Sequence, residues 1–124
     1  MKFCTGGSQP AGHYSPAVIS HGMVYVSGQT SVAPETGRPA EGGVAAEVLM
    51  ALTKLERVLK DAGCVKENVV NCHVYTTSAA DWGAVNEAYG KFFGEHRPAR
   101  TIAPVKELRL GCCVEIDAIA ELPE

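Results

Sequence analysis

An arginine and a glutamate are the residues of this sequence whose positions could support chemistry. Arg100 follows a tight Pro-Ala turn at the beginning of a predicted strand, where its planar guanidinium could grip a carboxylate through two parallel hydrogen bonds. Glu115 lies within a predicted strand on its polar face, a position that disfavours an acidic residue unless something satisfies it. Two alternatives stay open, because an arginine is more often a surface residue and Glu115 could form a structural salt bridge, for example with Arg100.

A tyrosine and a histidine near the N-terminus are further candidates. Tyr14 stands where ordered structure is predicted to begin, and its hydroxyl could contribute to a site, although a half-buried anchoring tyrosine is the more common case. His13, beside it, is the one histidine whose position makes it a candidate for a catalytic role. Four aromatic residues of the second predicted helix lie at core spacing, which indicates packing rather than a stacking platform: Trp82, Tyr89, Phe92 and Phe93.

The cysteines do not indicate a metal site. Neighbouring residues of a strand point to opposite faces, so Cys112 and Cys113 cannot both reach one ion. Their odd total and the lack of a CxxC motif favour free, buried thiols in a reducing compartment, which predicts a cytoplasmic protein. Gly42-Gly43 precedes a predicted helix without a phosphate-binding motif. The sequence therefore predicts neither a metal nor a cofactor. The five cysteines are Cys4, Cys64, Cys72, Cys112 and Cys113.

The composition is typical of one compact domain. The chain has 124 residues, 46% of them hydrophobic and 20% charged, which predicts a single domain over residues 1–124 with a loosely ordered lead segment at 1–11. A net charge of -3, from 11 basic and 14 acidic residues, argues against a nucleic-acid partner. No run approaches the roughly 20 apolar residues that a membrane span requires, so no membrane partner is predicted either.

The first half of the chain predicts a β-hairpin, a loop and a helix. Two β-prone runs, 17–19 and 23–27, flank a Ser-His-Gly turn. The turn-rich segment 32–43 predicts a loop without a strand. Residues 44–62 predict a helix that Gly63 ends, because their apolar residues recur at steps of three and four. These are Ala45, Val48, Leu49, Leu52, Leu55 and Leu59.

Three further strands are predicted in the second half. Residues 68–77 alternate, with Val70 among the residues on the apolar face. Residues 101–105 are extended but contain Pro104, which removes a backbone donor and predicts an edge or a bulge. Residues 113–120 form the clearest strand, with an apolar face and a face that carries carboxylates.

The order of these elements predicts an α+β domain. Ser78 followed by Asp81 is an N-cap signal for a second helix, which Gly94 ends. Hairpin, helix, strand, helix and two strands fit two layers, with both helices on one face of a sheet. The opposite face is then uncovered, so other subunits are predicted to supply the missing layer. It would present Met23, Tyr25, Tyr75 and Ile119.

Six short motifs follow one another along nearly the whole chain: Gly12-His13-Tyr14-Ser15-Pro16-Ala17, Ser27-Gly28-Gln29, Pro34-Glu35-Thr36-Gly37, Val85-Asn86-Glu87 with Phe92-Phe93, Arg97-Pro98-Ala99-Arg100-Thr101 and Val114-Glu115-Ile116-Asp117-Ala118-Ile119-Ala120. In this order and spacing they resemble the RidA family, also called YjgF/YER057c/UK114. The resemblance implies a chorismate-mutase-like α+β fold with a mixed sheet, assembled as a homotrimer with clefts between subunits. It also implies hydrolysis of reactive enamines and imines, such as 2-aminoacrylate and its imine tautomer, to a 2-keto acid and ammonia.

The resemblance assigns site residues as well. The carboxylate-binding arginine of the family corresponds to Arg100, its glutamate near the attacking water to Glu115, and its site tyrosine to Tyr14. The pocket-lining positions correspond to Ser27, Gly28, Asn86 and Ile102. The chain departs from the usual pattern in three places, since Ile102 stands where many members have cysteine, Leu108-Arg109 replaces Leu-Pro and His13 replaces proline. These departures bear on the substrate range.

The expected activity is therefore that of a hydrolase similar to 2-iminobutanoate/2-iminopropanoate deaminase, working without a cofactor. Two alternatives belong to other classes. One is a non-catalytic or regulatory trimer that binds a small carboxylic acid such as a keto acid. The other is RNA cleavage or inhibition of translation, which the family has also been credited with and which the acidic balance disfavours.

Overall fold

A six-stranded mixed sheet forms the centre of the fold. The computed structural model describes residues 1–5 and 10–124. The strands in these residues are, in chain order, β1 (Lys2–Cys4), β2 (Ala17–Ser20), β3 (Met23–Thr30), β4 (Val32–Ala33), β5 (Arg38–Pro39), β6 (Val69–Thr76), β7 (Ala99–Pro104) and β8 (Val114–Glu121). The large sheet has the order β1-β2-β3-β8-β6-β7, and β4 and β5 pair separately.

The edge strand β7 is the one parallel member of the sheet. It pairs with β6 in parallel, whereas the other neighbouring strands of the sheet run antiparallel. Pro104 is the last residue of β7. Proline has no backbone N–H to donate to a neighbouring strand, and a residue at the edge of the sheet does not need one, so the predicted edge position is confirmed.

Two α-helices cover one face of the sheet, as predicted. They are α1 (Val44–Asp61) and α2 (Trp82–Phe93), and short 3-10 turns precede β6, α2 and β8. One hydrophobic core joins both helices to alternate residues of the strands. Its largest fully buried side chains include Leu52, Leu55, Leu59, Val85, Val114 and Ile116. Within the described parts of the chain, no helix has the length and apolar content needed to cross a bilayer.

The predicted hairpin is confirmed, and the lead segment is partly wrong. His21 and Gly22 have φ angles of 52° and 77°, the left-handed pair that a tight hairpin turn between β2 and β3 requires. Residues 2–4, predicted to be loosely ordered, form β1 instead, because they pair with β2 and Cys4 is buried in the core. The rest of that prediction concerns residues 6–9, which lie outside the described residues, and irregular residues beside them. The loop predicted at 32–43 also contains the short β4–β5 pair.

The apolar face of β6 differs from the prediction at the first two residues of the strand. Val70, assigned to that face from alternation, is 36% exposed, whereas Val69 is 1% exposed. The register between β6 and β8 shifts between Val69 and Asn71. This bulge moves Val69 into the core and restores the predicted alternation at Cys72 and Val74.

No element of the described residues covers the face of the sheet opposite the helices, and we call it the open face. Residues paired across neighbouring strands share a face, so one row runs directly across the sheet. Phe3 and Tyr25 in this row are exposed. The row consists of Phe3, Val18, Tyr25 and Ile119. An apolar row of this kind on a sheet surface is typical of a contact with another protein layer.

Candidate active site

Arg100 lies on the edge strand β7, on the same side of the sheet as helix α2. Its partner across the parallel pair is Cys72, whose side chain is buried beneath the helix. The Arg100 Nη1 donates a hydrogen bond of 2.9 Å to Asn86 Oδ1. Its guanidinium carbon lies 4.8 Å from the ring centre of Tyr89 and 5.6 Å from that of Trp82. These contacts hold a half-buried, positively charged group at the edge of the fold.

Trp82 and Tyr89 have a role that the sequence did not reveal. Trp82 was predicted to be a packing residue, but it is 49% exposed and its ring stacks near the guanidinium instead. Trp82, Asn86 and Tyr89 are separated by four and three residues, so they form one stripe of α2 that faces Arg100. That spacing, with an asparagine between two aromatic residues, is the signal that could have identified them. The other two aromatic residues predicted to pack do so, since Phe93 is buried and Phe92 is partly buried against the core.

Glu115 lies on the open face of the central strand β8. Its neighbour on β6 is Tyr75, and the flanking residues Val114 and Ile116 point into the core. The backbone of Gly28 approaches its carboxylate so closely that a Cβ at Gly28 would collide with the Oε2 atom. Glycine is therefore required at position 28 for the observed position of the carboxylate.

Ser27 and Gly28 form a β-bulge beside that carboxylate. Val26 pairs with Ala118 and Gln29 with Ile116, so two residues of β3 stand opposite one residue of β8. The Ser27 hydroxyl donates a 2.6 Å hydrogen bond to the carbonyl of Ser15, and the Ser27 N–H donates to the carbonyl of Pro16 at 2.9 Å. The bulge thus fixes the segment that carries Tyr14.

Tyr14 projects from this fixed segment. Its side chain is 53% exposed, and its ring lies over Gly12, where a Cβ would be 2.8 Å from the ring. The structure therefore places Tyr14, Ser27, Gly28 and Glu115 in the same region of the chain, around the bulge of β3. We call this region the glutamate half-site, and the cluster of Arg100 with Asn86, Trp82 and Tyr89 the arginine half-site.

The two half-sites do not meet within one chain. Arg100 lies on the helix side of β7, whereas Glu115 lies on the open face of β8, and strand β6 separates them. A salt bridge between them, considered from the sequence, is therefore absent, and Arg100 bonds to Asn86 instead. Ile102 belongs to the arginine side, since it pairs with the core residue Val74 and packs against the core.

A separate polar cluster on the open face is fully paired. His73 Nδ1 lies 2.7 Å from Asp117 Oδ1, and the Tyr75 hydroxyl donates to Asp117 Oδ2 at 3.3 Å. Burial, and then the Asp117 carboxylate, raise the pKa of Tyr75. Because each of these groups already has a partner, the cluster has the character of structural polar packing rather than of a second reaction centre.

The thiols are buried or half-buried, as predicted. Burial raises the pKa of Cys72 to about 11, and burial together with a hydrogen bond to Glu47 raises the pKa of Cys113 to about 12. Thiols with such pKa values are protonated at neutral pH and are poor nucleophiles. Among the described residues no group of His, Cys, Asp and Glu side chains is arranged to hold a metal ion.

Comparisons with known proteins cover almost the whole chain. Residues 6–122 match the family described as Endoribonuclease L-PSP. The 2-iminobutanoate/2-iminopropanoate deaminase of Rattus norvegicus is 43% identical over 109 residues, which is 88% of this chain and 80% of the rat protein. A crystal structure from Thermotoga maritima superposes with a TM-score of 0.90 at 36% identity, covering 100% of this chain and 99% of that one. E. coli TdcF with bound serine has a TM-score of 0.89 at 28% identity, covering 99% and 100%.

Proposed function

The chain belongs to the Endoribonuclease L-PSP family, the RidA or YjgF family, and we propose that it hydrolyses reactive 2-imino acids at a site shared between two copies of itself. The chain is an imine deaminase of the 2-iminobutanoate/2-iminopropanoate type, which the identity of 39% to 43% to mammalian deaminases of that name over 88% of the chain supports. The products are a 2-keto acid and ammonia. The observation that carries the proposal is the pre-aligned guanidinium of Arg100 at the edge of the sheet.

Arg100 is suited to hold the carboxylate of a 2-imino acid. Its Nη1 donates to Asn86, and the aromatic rings of Trp82 and Tyr89 limit its movement, so the guanidinium is held in place while its other N–H groups can serve a carboxylate. A guanidinium that is already aligned loses little conformational freedom when a carboxylate binds. The imine carbon is then held at a fixed distance from the guanidinium.

Glu115 is suited to orient the attacking water. Its carboxylate accepts a proton from water while the water oxygen bonds to the imine carbon, and the nitrogen takes up a proton to give a carbinolamine. The C–N bond of this intermediate then breaks, ammonia leaves, and the carbonyl of the keto acid forms. No electron is transferred overall, and water supplies the oxygen. An imine carbon is itself electrophilic, so positioning of the reactants and one proton acceptor, Glu115, are sufficient for the addition of water.

A site that uses both half-sites requires two copies of the chain. In one copy Arg100 and Glu115 face opposite sides of the sheet, so the edge of β7 in one copy must meet the glutamate half-site of the next. The apolar row of the open face gives such a contact its buried area. A closed ring of three copies, the homotrimer implied by the family resemblance, would contain three equivalent sites.

The experiment that tests this proposal mixes two inactive variants. Arg100→Ala and Glu115→Gln subunits carrying different tags are co-expressed, and ammonia release from freshly generated 2-aminoacrylate is measured on assemblies that retain both tags. In a ring of three copies that carries both tags, one of the three interfaces pairs an intact Arg100 with an intact Glu115, so about a third of the wild-type rate is expected.

The same mixture can refute the proposal. Assemblies that contain both tags but stay as inactive as each variant alone would show that both residues act from one chain. Wild-type protein that does not accelerate ammonia release above the spontaneous rate would instead leave only ligand binding, the alternative to which the serine in the TdcF structure points.

Gly28→Ala should separate catalysis from stability. The new methyl group displaces the Glu115 carboxylate, the far end of a flexible side chain, so kcat/KM is expected to fall by about tenfold while Tm hardly changes. Gly83→Ala on helix α2 is the matched control, because its Cβ meets no atom within 4 Å. Equal activity of the two variants would remove Gly28 from the site.

We also propose that the protein is cytoplasmic and that it does not act on nucleic acid. Five unpaired thiols fit a reducing compartment, and the net charge of -3 argues against a surface that neutralises the phosphates of a nucleic acid. Cleavage of RNA by the pure protein, lost in Arg100→Ala, would favour the activity for which the family is described.

A further inference from the structure

A cavity of about 580 Å³ extends from Arg100 along the C-terminal half of α2. This volume is within the range of sites that bind small molecules. It is much larger than the carboxylate and imine groups of a three-carbon substrate require. It is lined by Asn86, Tyr89, Gly90, Phe93, Gly94, His96, Arg97, Pro98 and Arg100.

The lining is positively charged. Arg97 and Arg100 both contribute to it, separated by Pro98-Ala99, and no aspartate or glutamate is among the lining residues. His96 is engaged elsewhere, since its Nε2 lies 2.8 Å from the carbonyl of Val69. Arg97 therefore remains as a second exposed guanidinium in the same cavity.

The wall of the cavity combines open space with a buried polar atom. Gly90 and Gly94 leave the helix surface bare, and a Cβ at either position would meet no atom within 4 Å. The rings of Tyr89 and Phe93, tilted to each other with their centres 4.7 Å apart, form the inner wall. Tyr89 is 5% exposed, and its buried hydroxyl has no nitrogen or oxygen partner; its neighbour is the thiol of Cys72, a weak hydrogen-bonding group.

We propose that this cavity receives the side chain of substrates that carry a second carboxylate, so that the chain prefers 2-imino acids derived from dicarboxylic amino acids. This inference rests on the proposed function, in which Arg100 binds the carboxylate next to the imine carbon. Arg97 then binds the distal carboxylate, and the space beside Gly90 and Gly94 holds the methylene groups between them. Arg97 is a specificity residue in this scheme and takes no part in hydrolysis of 2-iminopropanoate.

The test compares two imines that differ in the second carboxylate. 2-Iminoglutarate and 2-iminopropanoate are generated in situ from glutamate and alanine by flavin-dependent oxidases, and the disappearance of each imine is followed by trapping the remainder with semicarbazide. For wild-type protein we expect a kcat/KM about tenfold higher with 2-iminoglutarate, since a hydrogen bond between the Arg97 guanidinium and the distal carboxylate is stronger than one between neutral groups. Arg97→Ala should abolish this preference and leave the rate with 2-iminopropanoate unchanged.

Two controls exclude a general effect of charge. Arg57→Ala removes one positive charge from the exposed surface of helix α1, outside the lining of the cavity, and should keep the preference. Gly90→Glu places a carboxylate at the cavity, and should lower kcat/KM for 2-iminoglutarate selectively, whereas Gly90→Gln, with the same shape, should have a smaller effect.

The outcomes distinguish the inference from the function on which it rests. Hydrolysis of 2-iminopropanoate without a preference for 2-iminoglutarate, or a preference that survives in Arg97→Ala, overturns the inference alone. Failure of the wild-type protein to hydrolyse either imine overturns the proposed function. A binding measurement with glutarate and propionate adds a readout without turnover, in which only glutarate should bind more weakly to Arg97→Ala.

Discussion

Arg100→Ala is expected to lower kcat/KM for 2-iminopropanoate by at least about a hundredfold, because two charged hydrogen bonds to the substrate carboxylate are lost. The loss should be seen without unfolding. Arg100 is only half-buried, and its stacking on Tyr89 and Trp82 contributes about 0.5–1 kcal/mol at an exposed site. Initial rates of ammonia release and a thermal melt on the same preparation provide the two measurements.

Arg100→Lys makes the test specific for the planar fork. A single ammonium cannot form two parallel hydrogen bonds or occupy the same stacked position, so we expect most of the activity to be lost although the charge is kept. Arg57→Ala, on the exposed surface of α1, is the matched loss of an arginine and should have wild-type kinetics. Full activity in both Arg100 variants would show that the carboxylate is bound elsewhere.

Glu115→Gln is expected to reduce kcat by about a hundredfold or more, since general-base assistance contributes on that order. The amide keeps the size of the side chain and its place beside Gly28, so substrate binding and Tm should change little. The expected signature is therefore a fall in kcat at nearly constant KM.

A carboxylate at the end of the same strand supplies the control for this variant. Glu121→Gln removes one negative charge from the exposed end of β8 and should leave kcat unchanged. If Glu115→Gln keeps the wild-type kcat and only lowers Tm, Glu115 is a structural residue, the alternative that its position in the sequence left open.

Much of the fold follows from local sequence rules. The stripe of leucines in α1, the left-handed pair His21-Gly22 and the alternation of β8 each act within a few residues, so their elements could be predicted. Strand β1 could not, because residues 2–4 have little strand character of their own and become ordered by pairing with β2. The bulge at Val69 likewise depends on the register with β8, which no local pattern records.

The sequence suggested the residues of the candidate site but not their arrangement. Local position and the family resemblance made Arg100 and Glu115 candidates, whereas their placement on opposite sides of the sheet depends on the strand order, which puts β6 between them. The contribution of Trp82 was missed because helical spacing does not distinguish a buried aromatic residue from one that stacks on an edge strand.

The opposing orientation of Arg100 and Glu115 has a consequence for the life of the protein in a cell. In the shared site proposed above, a newly synthesised, solitary chain carries both groups yet cannot bring them to one molecule of imine. Its competence then grows with its own abundance, since association of identical chains is governed by mass action. Detoxifying capacity would rise more steeply than expression, and a poorly expressed copy would protect its host less than its amount suggests.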